Sequence, residues 1–296
     1  MILLAGSTGL VGGMIARTLL ARERPLRILV RPGSDHRSLV DGGAVPALGD
    51  LKDPASLAAA CDGVDTVIST ASAGQRGGAD TPETVDLEGN QSFIAAARSA
   101  GVRRFVFVSA LTATVDHPVP LPRAKAMTEA ALRESGLPYT IIAANAIMDV
   151  MFPLVIGYPL GLGRPVTLVG EGRRRHAFVT ARDVAAFTVA TVDHPDAVNR
   201  RIPVGGPAAL SWRDVIATYE RVLGRAVPVN WIAPGELLPD VPPVPGLAEL
   251  ISGLLAALET FDSPVEMADT YRTFGVSPTS VEDFVAGTSV PNAVSA

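Results

Sequence analysis

The chain has 296 residues, of which 48% are hydrophobic and 19% charged, with a formal net charge of −5 and one cysteine. That length and apolar content can bury a sizeable core without disulfides and exclude a mainly disordered chain. The acidic balance argues against a general nucleic-acid binder, which needs a basic face. A lone Cys61 forms no intramolecular disulfide, so a reducing cytoplasm is the expected compartment.

The apolar run Met1–Ala5 ends at Gly6 and predicts a buried strand. Leu10–Ala21 has helical spacing, Leu26–Val30 predicts a second strand, and Ala44–Leu48 a weaker third. Pro54–Cys61 predicts a short helix with proline in its first turn. Asp65–Ser69 is the fourth strand, Thr81–Ser99 a long helix closed by Gly101, and Phe105–Val108 the fifth strand. Arg123–Ser135 is a helix closed by Gly136, and Tyr139–Ala143 the sixth strand. Strand–helix alternation at this spacing predicts a Rossmann-type α/β fold: a doubly wound parallel sheet with helices on both faces. Beyond residue 150 the pattern loosens. Pro153, Pro159 and Pro165 are expected to break the chain into turns. Val166–Val169 reads as a strand and Ala181–Val192 as a helix. Ser211 caps a helix over Trp212–Leu223, which Gly224 closes. Residues 233–246 are proline-rich and read as an extended flap, followed by a last apolar helix over Leu247–Phe261. The final ten residues are expected to fray. The expected organisation is a nucleotide-binding domain over residues 1–150 and a smaller, interleaved substrate-binding region over 151–296. No segment has the roughly 20 uninterrupted apolar residues of a membrane-spanning helix, and the N-terminus lacks the basic region of a signal peptide.

The densest chemical signal lies between the first strand and first helix, in Gly6-Ser7-Thr8-Gly9-Leu10-Val11-Gly12. Glycines allow a tight turn and close approach of a pyrophosphate, and the following helix N-terminus offers unpaired N–H groups and a positive dipole end. The strand–turn–helix context is the one this motif requires. At the end of the second strand an acid selects NAD and an arginine selects NADP. Here Arg31 stands, with Ser34 and Arg37 beyond it and Asp35 the nearest acid, so NADP(H) is the expected cofactor. Gly49-Asp50-Leu51 after the third strand reads either as an adenine-edge loop or as a plain turn. Ser69-Thr70-Ala71-Ser72 after the fourth strand places small residues where a nucleotide runs close to the backbone.

Two lysines remain in a chain whose other basic residues are arginines: Lys52 and Lys125. Lys125 falls on the helix after the fifth strand. Its ammonium can hold ribose hydroxyls or protonate a substrate oxygen, or it can be a surface charge. Ser109, at the end of the fifth strand, is a candidate hydrogen-bonding residue for cofactor or substrate, or a cap. His36, His117, His176 and His194 lack metal-ligand spacing, and no metal is expected. Arg173-Arg174-Arg175-His176 is the one basic cluster and reads as a solvated loop, with an anion site for an acidic substrate or partner as the alternative. Cys61 reads as core.

Taken in order, Gly6–Gly12, Arg31, Gly49-Asp50, Asp86–Gly101 with Glu88-Gly89-Asn90, Val106–Ala110, and Lys125 before Ser135-Gly136-Leu137-Pro138-Tyr139-Thr140 resemble the NmrA-like group of atypical short-chain dehydrogenase/reductases. Phe178–Ala186, Val204-Gly205-Gly206-Pro207 with Leu210-Ser211, Leu223-Gly224-Arg225, and Phe274–Phe284 with Ser277-Pro278-Thr279 extend the resemblance over nearly the whole chain. It implies a Rossmann fold, NADP(H) binding, and either reduction of a quinone-, dye- or isoflavone-like small molecule or redox sensing without turnover. The typical Tyr-x-x-x-Lys is incomplete: Leu121 stands four residues before Lys125. This departure disfavours ordinary alcohol–ketone chemistry and makes a sugar-nucleotide epimerase a weaker alternative. Ala143-Ala144-Asn145 replaces an arginine that relatives often carry, a change expected to alter the substrate site. The expected partner is a planar aromatic or quinone-like molecule, on a monomer or homodimer.

Overall fold

The structure is a computed structural model in which residues 1–74 and 78–288 are described. The chain divides into two compact units: Met1–Ala144 with Ala181–Pro203 and Phe274–Val276, and Asn145–Thr180 with Val204–Thr273 and Ser277–Ala296.

In the first unit, β1 (Ile2–Ala5), α1 (Leu10–Ala21), β2 (Leu26–Val30), α2 (Arg37–Asp41), β3 (Val45–Leu48), α3 (Pro54–Cys61), β4 (Thr66–Ser69), α4 (Asn90–Ser99), β5 (Arg104–Ala110), α5 (Pro120–Glu134) and β6 (Tyr139–Ala144) follow one another. The sheet order is β3-β2-β1-β4-β5-β6, with Arg200–Val204 added beside β6. Neighbours from β3 through β6 pair in parallel. The order reverses between β1 and β4, the switch point at which open α/β sheets bind ligands beyond the carboxyl ends of their strands.

Side-chain alternation divides the sheet's two faces. Leu3, Ala5, Val67, Phe105, Phe107 and Ile141 form one core with Leu57, Phe93, Ala97 and Leu132 from α3, α4 and α5. Phe93 meets Phe105 edge to face at 5.6 Å between ring centroids. Out of step with these, Leu4 and Ile28 are equally buried, and α1 packs against the helix Ala181–Thr191. β3 is the exposed edge, where Pro46 is tolerated because its missing N–H lies on the open side. Cys61 is buried in the α3 core, and burial pushes its thiol up to about 11, so it is inert at neutral pH.

Three local differences from the sequence reading have plain causes. The long helix before β5 begins with a π-type stretch, Pro82–Gly89, capped by a reciprocal Thr81–Thr84 pair. The helix α5 starts at Pro120 instead of Arg123, because prolines at the first positions of a helix lose no hydrogen bond. Pro153 and Pro159 likewise do not break the chain into turns. They stand at the starts of short helical segments, Pro153–Gly157 and Tyr158–Gly161, that continue Met148–Phe152.

The second unit pairs Val229–Ile232 in parallel with Val166–Val169, and Leu210–Ser211 in antiparallel with Arg175–His176. Trp212–Leu223 is a helix with a Ser211–Asp214 capping box and a left-handed Gly224 at its end. Residues 233–246 carry neither helix nor strand. Leu247–Leu258 is not the last helix: Ala268–Phe274 and Val281–Gly287 follow it. The expected fraying of the terminus falls, beyond Thr288, outside the described residues. The core of this unit is largely aliphatic around an aromatic centre, with Phe152 edge to face on Phe178 at 5.2 Å and on Trp212 at 5.7 Å.

The basic cluster is not a simple solvated loop. Arg174 pairs with Asp262, Arg175 with Asp214, and His176 is fully buried. The His176 Nδ1 lies 2.7 Å from the Ser263 hydroxyl, and Asn145 donates to the Ser263 carbonyl at 2.9 Å. Burial pushes the imidazole down to about 4, with Asp262 opposing more weakly. The fold therefore needs His176 neutral. Its contribution to stability is complete above the unfolded value of about 6.5 and falls as pH drops towards 4, by about 3 kcal/mol in all. Both tryptophans, Trp212 and Trp231, lie in this unit, so urea unfolding followed by their fluorescence between pH 7.5 and 4.5 reads the effect directly. His176→Gln should remove that part of the pH slope; an unaltered slope would refute the assignment.

Candidate nucleotide site

At the carboxyl end of β1 the chain turns through Gly6, whose φ is +84°. That angle is left-handed, and a Cβ there would fall 2.5 Å from the Thr70 Oγ1. Gly12 is closer still: a Cβ would lie 2.1 Å from the Gly6 carbonyl oxygen. The turn is pinned by Gly9 N–H donating to the Gly6 carbonyl at 2.9 Å and by the Thr70 backbone and hydroxyl, both donating to the Ala5 carbonyl at 3.1 Å. The β1 and β4 loops thus pack backbone to backbone at the switch point. Thr8, Gly9 and Leu10 are exposed, Val11 is half-buried, and Ala71 and Ser72 continue the β4 loop beside them, Ala71 buried and Ser72 half-buried. Ser69 turns away, donating to the Asn90 side chain at 2.6 Å in full burial, which locks β4 to α4.

Two features fit this turn to a pyrophosphate. The helix α1 runs for 12 residues with Gly9 at its cap, no side-chain cap and no acid in its first turn, leaving its leading N–H groups and dipole for an anion. The Ser7 hydroxyl is 1% exposed and has no hydrogen-bond partner among the described residues. A buried orphan hydroxyl costs about 1–3 kcal/mol unless a ligand satisfies it.

At the ends of β2 and β3 the cations do not stand alone. Arg31 Nη1 lies 2.7 Å from Asp80 Oδ2, and Lys52 Nζ lies 2.6 Å from Asp80 Oδ1. Asp80 belongs to the loop after β4. Burial alone would raise its carboxyl, but the hydrogen bonds and charges of Lys52 and Arg31 together hold it below the usual range. Ser34 donates to the Arg31 carbonyl at 2.6 Å and shapes the bend after β2. Arg37 is exposed at the start of α2. Asp50 accepts from the Lys52 backbone N–H at 2.9 Å, and Leu51 is buried against the backbone at Gly89.

At the end of β5 two networks meet. Ser109 is 3% exposed and donates to Glu129 at 2.6 Å. Glu129 also takes Arg133 at 2.8 Å and Arg201 at 2.9 Å, and Arg201 donates onward to the carbonyls of Ala110 and Leu111 at 3.0 Å. Lys125 donates to the Val108 carbonyl at 3.2 Å, stands 3.4 Å from Asp86 Oδ1, and lies over the Phe107 ring. Its side chain is 11% exposed, whereas Asp86 is wholly buried and accepts the Ala73 N–H through its other oxygen at 2.9 Å. The structure therefore gathers the glycine turn, the β4 loop, Arg31, Ser34, Asp50 and Lys125 along the strands' carboxyl ends. Sequence reasoning missed Asp80, Asp86, Glu129 and Arg201. Among the described residues no His, Cys, Asp or Glu group is disposed to hold a metal, and no helix is long and apolar enough to cross a membrane.

A family model described as NAD(P)H-binding matches residues 6–195. The chain belongs to this NAD(P)H-binding family. It is an NmrA-like atypical short-chain dehydrogenase/reductase, an NAD(P)H-dependent oxidoreductase by class. It is 33% identical to an NAD(P)H azoreductase of Xenophilus azovorans over 79% of this chain and 77% of that one. It is 29% identical to the photosystem II assembly factor Ycf39 of Guillardia theta, over 96% of this chain and 92% of that one. The structure of an NADPH-dependent quinone oxidoreductase from Escherichia coli, solved with NADPH, superposes with a TM-score of 0.78 at 20% identity, covering 97% of this chain and 99% of that one. That likeness is one of fold.

Proposed function

We propose that the chain reduces a planar aromatic or quinone-like small molecule with NADPH. The observation that carries this reading is Lys125: a lysine positioned at the end of β5 by the Val108 carbonyl and buried Asp86, on the same sheet edge as the glycine turn, with Leu121 where a tyrosine acid would stand. When bound, the nicotinamide supplies a hydride. The glycine turn and α1 hold the pyrophosphate, with Gly6, Ser7, Thr8, Gly9, Leu10, Val11 and Gly12 presenting backbone and the Ser7 hydroxyl. Thr70, Ala71 and Ser72 line the path, and Arg31 meets the 2′-phosphate. The Lys125 ammonium binds ribose hydroxyls and faces the acceptor oxygen or nitrogen that gains a proton. Ser109, its hydroxyl given to Glu129, steadies the strand end instead of reacting. A hydride acceptor that can take its proton from a single ammonium, such as a quinone or azo dye, suits a site with Lys125 and no tyrosine. The azoreductase relative supports that class. The single buried cysteine fits a reducing, cytoplasmic setting.

A second reading, an NADP(H)-binding regulator without turnover, is favoured by Leu121 and by the assembly-factor relative. Calorimetric titration with NADPH and NADP+, then absorbance at 340 nm with a panel of quinones and azo dyes, separates the two. Oxidation of NADPH by any panel member supports the reductase. Tight binding with no oxidation supports the regulator, and failure to bind either nucleotide refutes both.

A further inference from the structure

Arg31 and Lys52 sit 21 residues apart in sequence, at the ends of neighbouring strands, and converge on one carboxylate. Arg31 stands 2.7 Å from Asp80 Oδ2 and Lys52 2.6 Å from Asp80 Oδ1. The Asp80 side chain is only 10% exposed, whereas Arg31 and Lys52 keep 42% and 36%. The carboxylate thus lies beneath the cations and is held in a fixed place. Two cations meeting at the sheet edge suit a phosphate, but the phosphate must compete with the carboxylate already seated. A 2′-hydroxyl meets the opposite situation: it is a donor, and a fixed carboxylate acceptor at that edge is the group that takes it.

Resting on the reading of this edge as the adenosine end of an NAD(P)H site, we propose that Asp80 sets the cofactor preference. NADPH binds by displacing Asp80 from Arg31 and Lys52, and NADH binds by donating its 2′-hydroxyl to the Asp80 left in place. The chain accordingly takes both cofactors, with Asp80 lowering its preference for the phosphorylated one. Lys52 gains a role that its place in the sequence did not suggest. It is the second cation of the pair, and its compact ammonium releases a carboxylate more readily than a bidentate guanidinium.

The test is calorimetric titration of the full chain and its Asp80→Asn variant with NADPH, NADH, and the fragments 2′,5′-ADP and 5′-ADP. Asp80→Asn keeps the shape and removes the charge. It is expected to tighten NADPH and 2′,5′-ADP by roughly tenfold and to weaken NADH by several-fold, as charge-assisted hydrogen bonds of this kind warrant. Equal changes for NADPH and NADH, or a weaker NADPH, would overturn the proposal. Lys52→Gln provides a second arm that does not depend on the Asp80 variant folding. It should weaken NADPH and 2′,5′-ADP about tenfold while leaving NADH within about twofold, and a parallel loss for both would count against the proposal. A wild-type chain that binds neither nucleotide refutes the underlying site assignment as well, whereas a wild-type chain that binds both without an Asp80 effect refutes only this inference.

Discussion

Gly12→Ala is expected to abolish nucleotide binding and to cost about 2–4 kcal/mol of stability. Alanine for glycine inside a helix normally gains up to about 1 kcal/mol from propensity. Here the added methyl would stand 2.1 Å from the Gly6 carbonyl oxygen, 2.6 Å from its carbon and 2.7 Å from the Thr70 hydroxyl. Two of those three neighbours are backbone atoms of the turn itself, so no side chain can swing aside to make room. Either α1 moves off β1 or the Gly6–Gly9 turn opens, and both destroy the proposed pyrophosphate cradle. The steric cost exceeds the propensity gain. Gly13→Ala makes the control: its methyl would lie 3.3 Å from the Ser7 carbonyl oxygen, a contact that a shift of a few tenths of an ångström relieves. Urea unfolding and NADPH titration of both variants decide the matter. A Gly12→Ala protein with wild-type stability and affinity would overturn the packed-turn account.

Lys125→Met is expected to lower turnover by at least 100-fold, the usual scale for losing a group that moves or stabilises a proton, and to destabilise the fold by about 3 kcal/mol. The second effect follows from Asp86, which is wholly buried and loses the cation facing its Oδ1. The two effects separate in the double variant Lys125→Met/Asp86→Asn. Removing the stranded charge should restore most of the stability, because an amide keeps an acceptor for the Ala73 N–H. Turnover should stay low, since the ammonium is still missing. Recovery of turnover along with stability would assign Lys125 a purely structural role. Steady-state rates of NADPH oxidation and urea midpoints on the three proteins provide the comparison.

The places where the sequence reading matched the structure share a cause. β1, α1 and β2 follow from local signals: apolar runs bounded by glycine, helical spacing, and a turn whose geometry only glycine permits. The boundaries of α1, β2 and α3 coincide with those read from sequence for the same reason. The helix Trp212–Leu223 was legible from Ser211 and Gly224, which act within a few residues of the ends they cap. Proline misled where position mattered more than identity. Pro153 and Pro159 have the local signature of breakers, yet each occupies the start of a helical segment, where its missing N–H costs nothing. His176 looked like one more polar residue in a basic stretch. Its ring meets the Ser263 hydroxyl, 87 residues away, and packs edge to face on Phe178 and Phe261.

The glycine turn after β1, the missing tyrosine at Leu121 and the arginine at the end of β2 are legible in the chain alone, because each depends on neighbours within one strand–loop–helix unit. What those groups face is set by the packed fold. Arg31 meets Asp80 across 49 residues, Lys52 meets it across 28, and Glu129 gathers Arg201 across 72. Such pairings are set by strand order and by where the loops close at the sheet's edge, and no local pattern of charge or hydropathy records them. The physical reason is range. A turn or cap is satisfied by backbone groups a few residues away, whereas an ion pair at the sheet's edge exists only once β3, β2, β1 and β4 lie side by side.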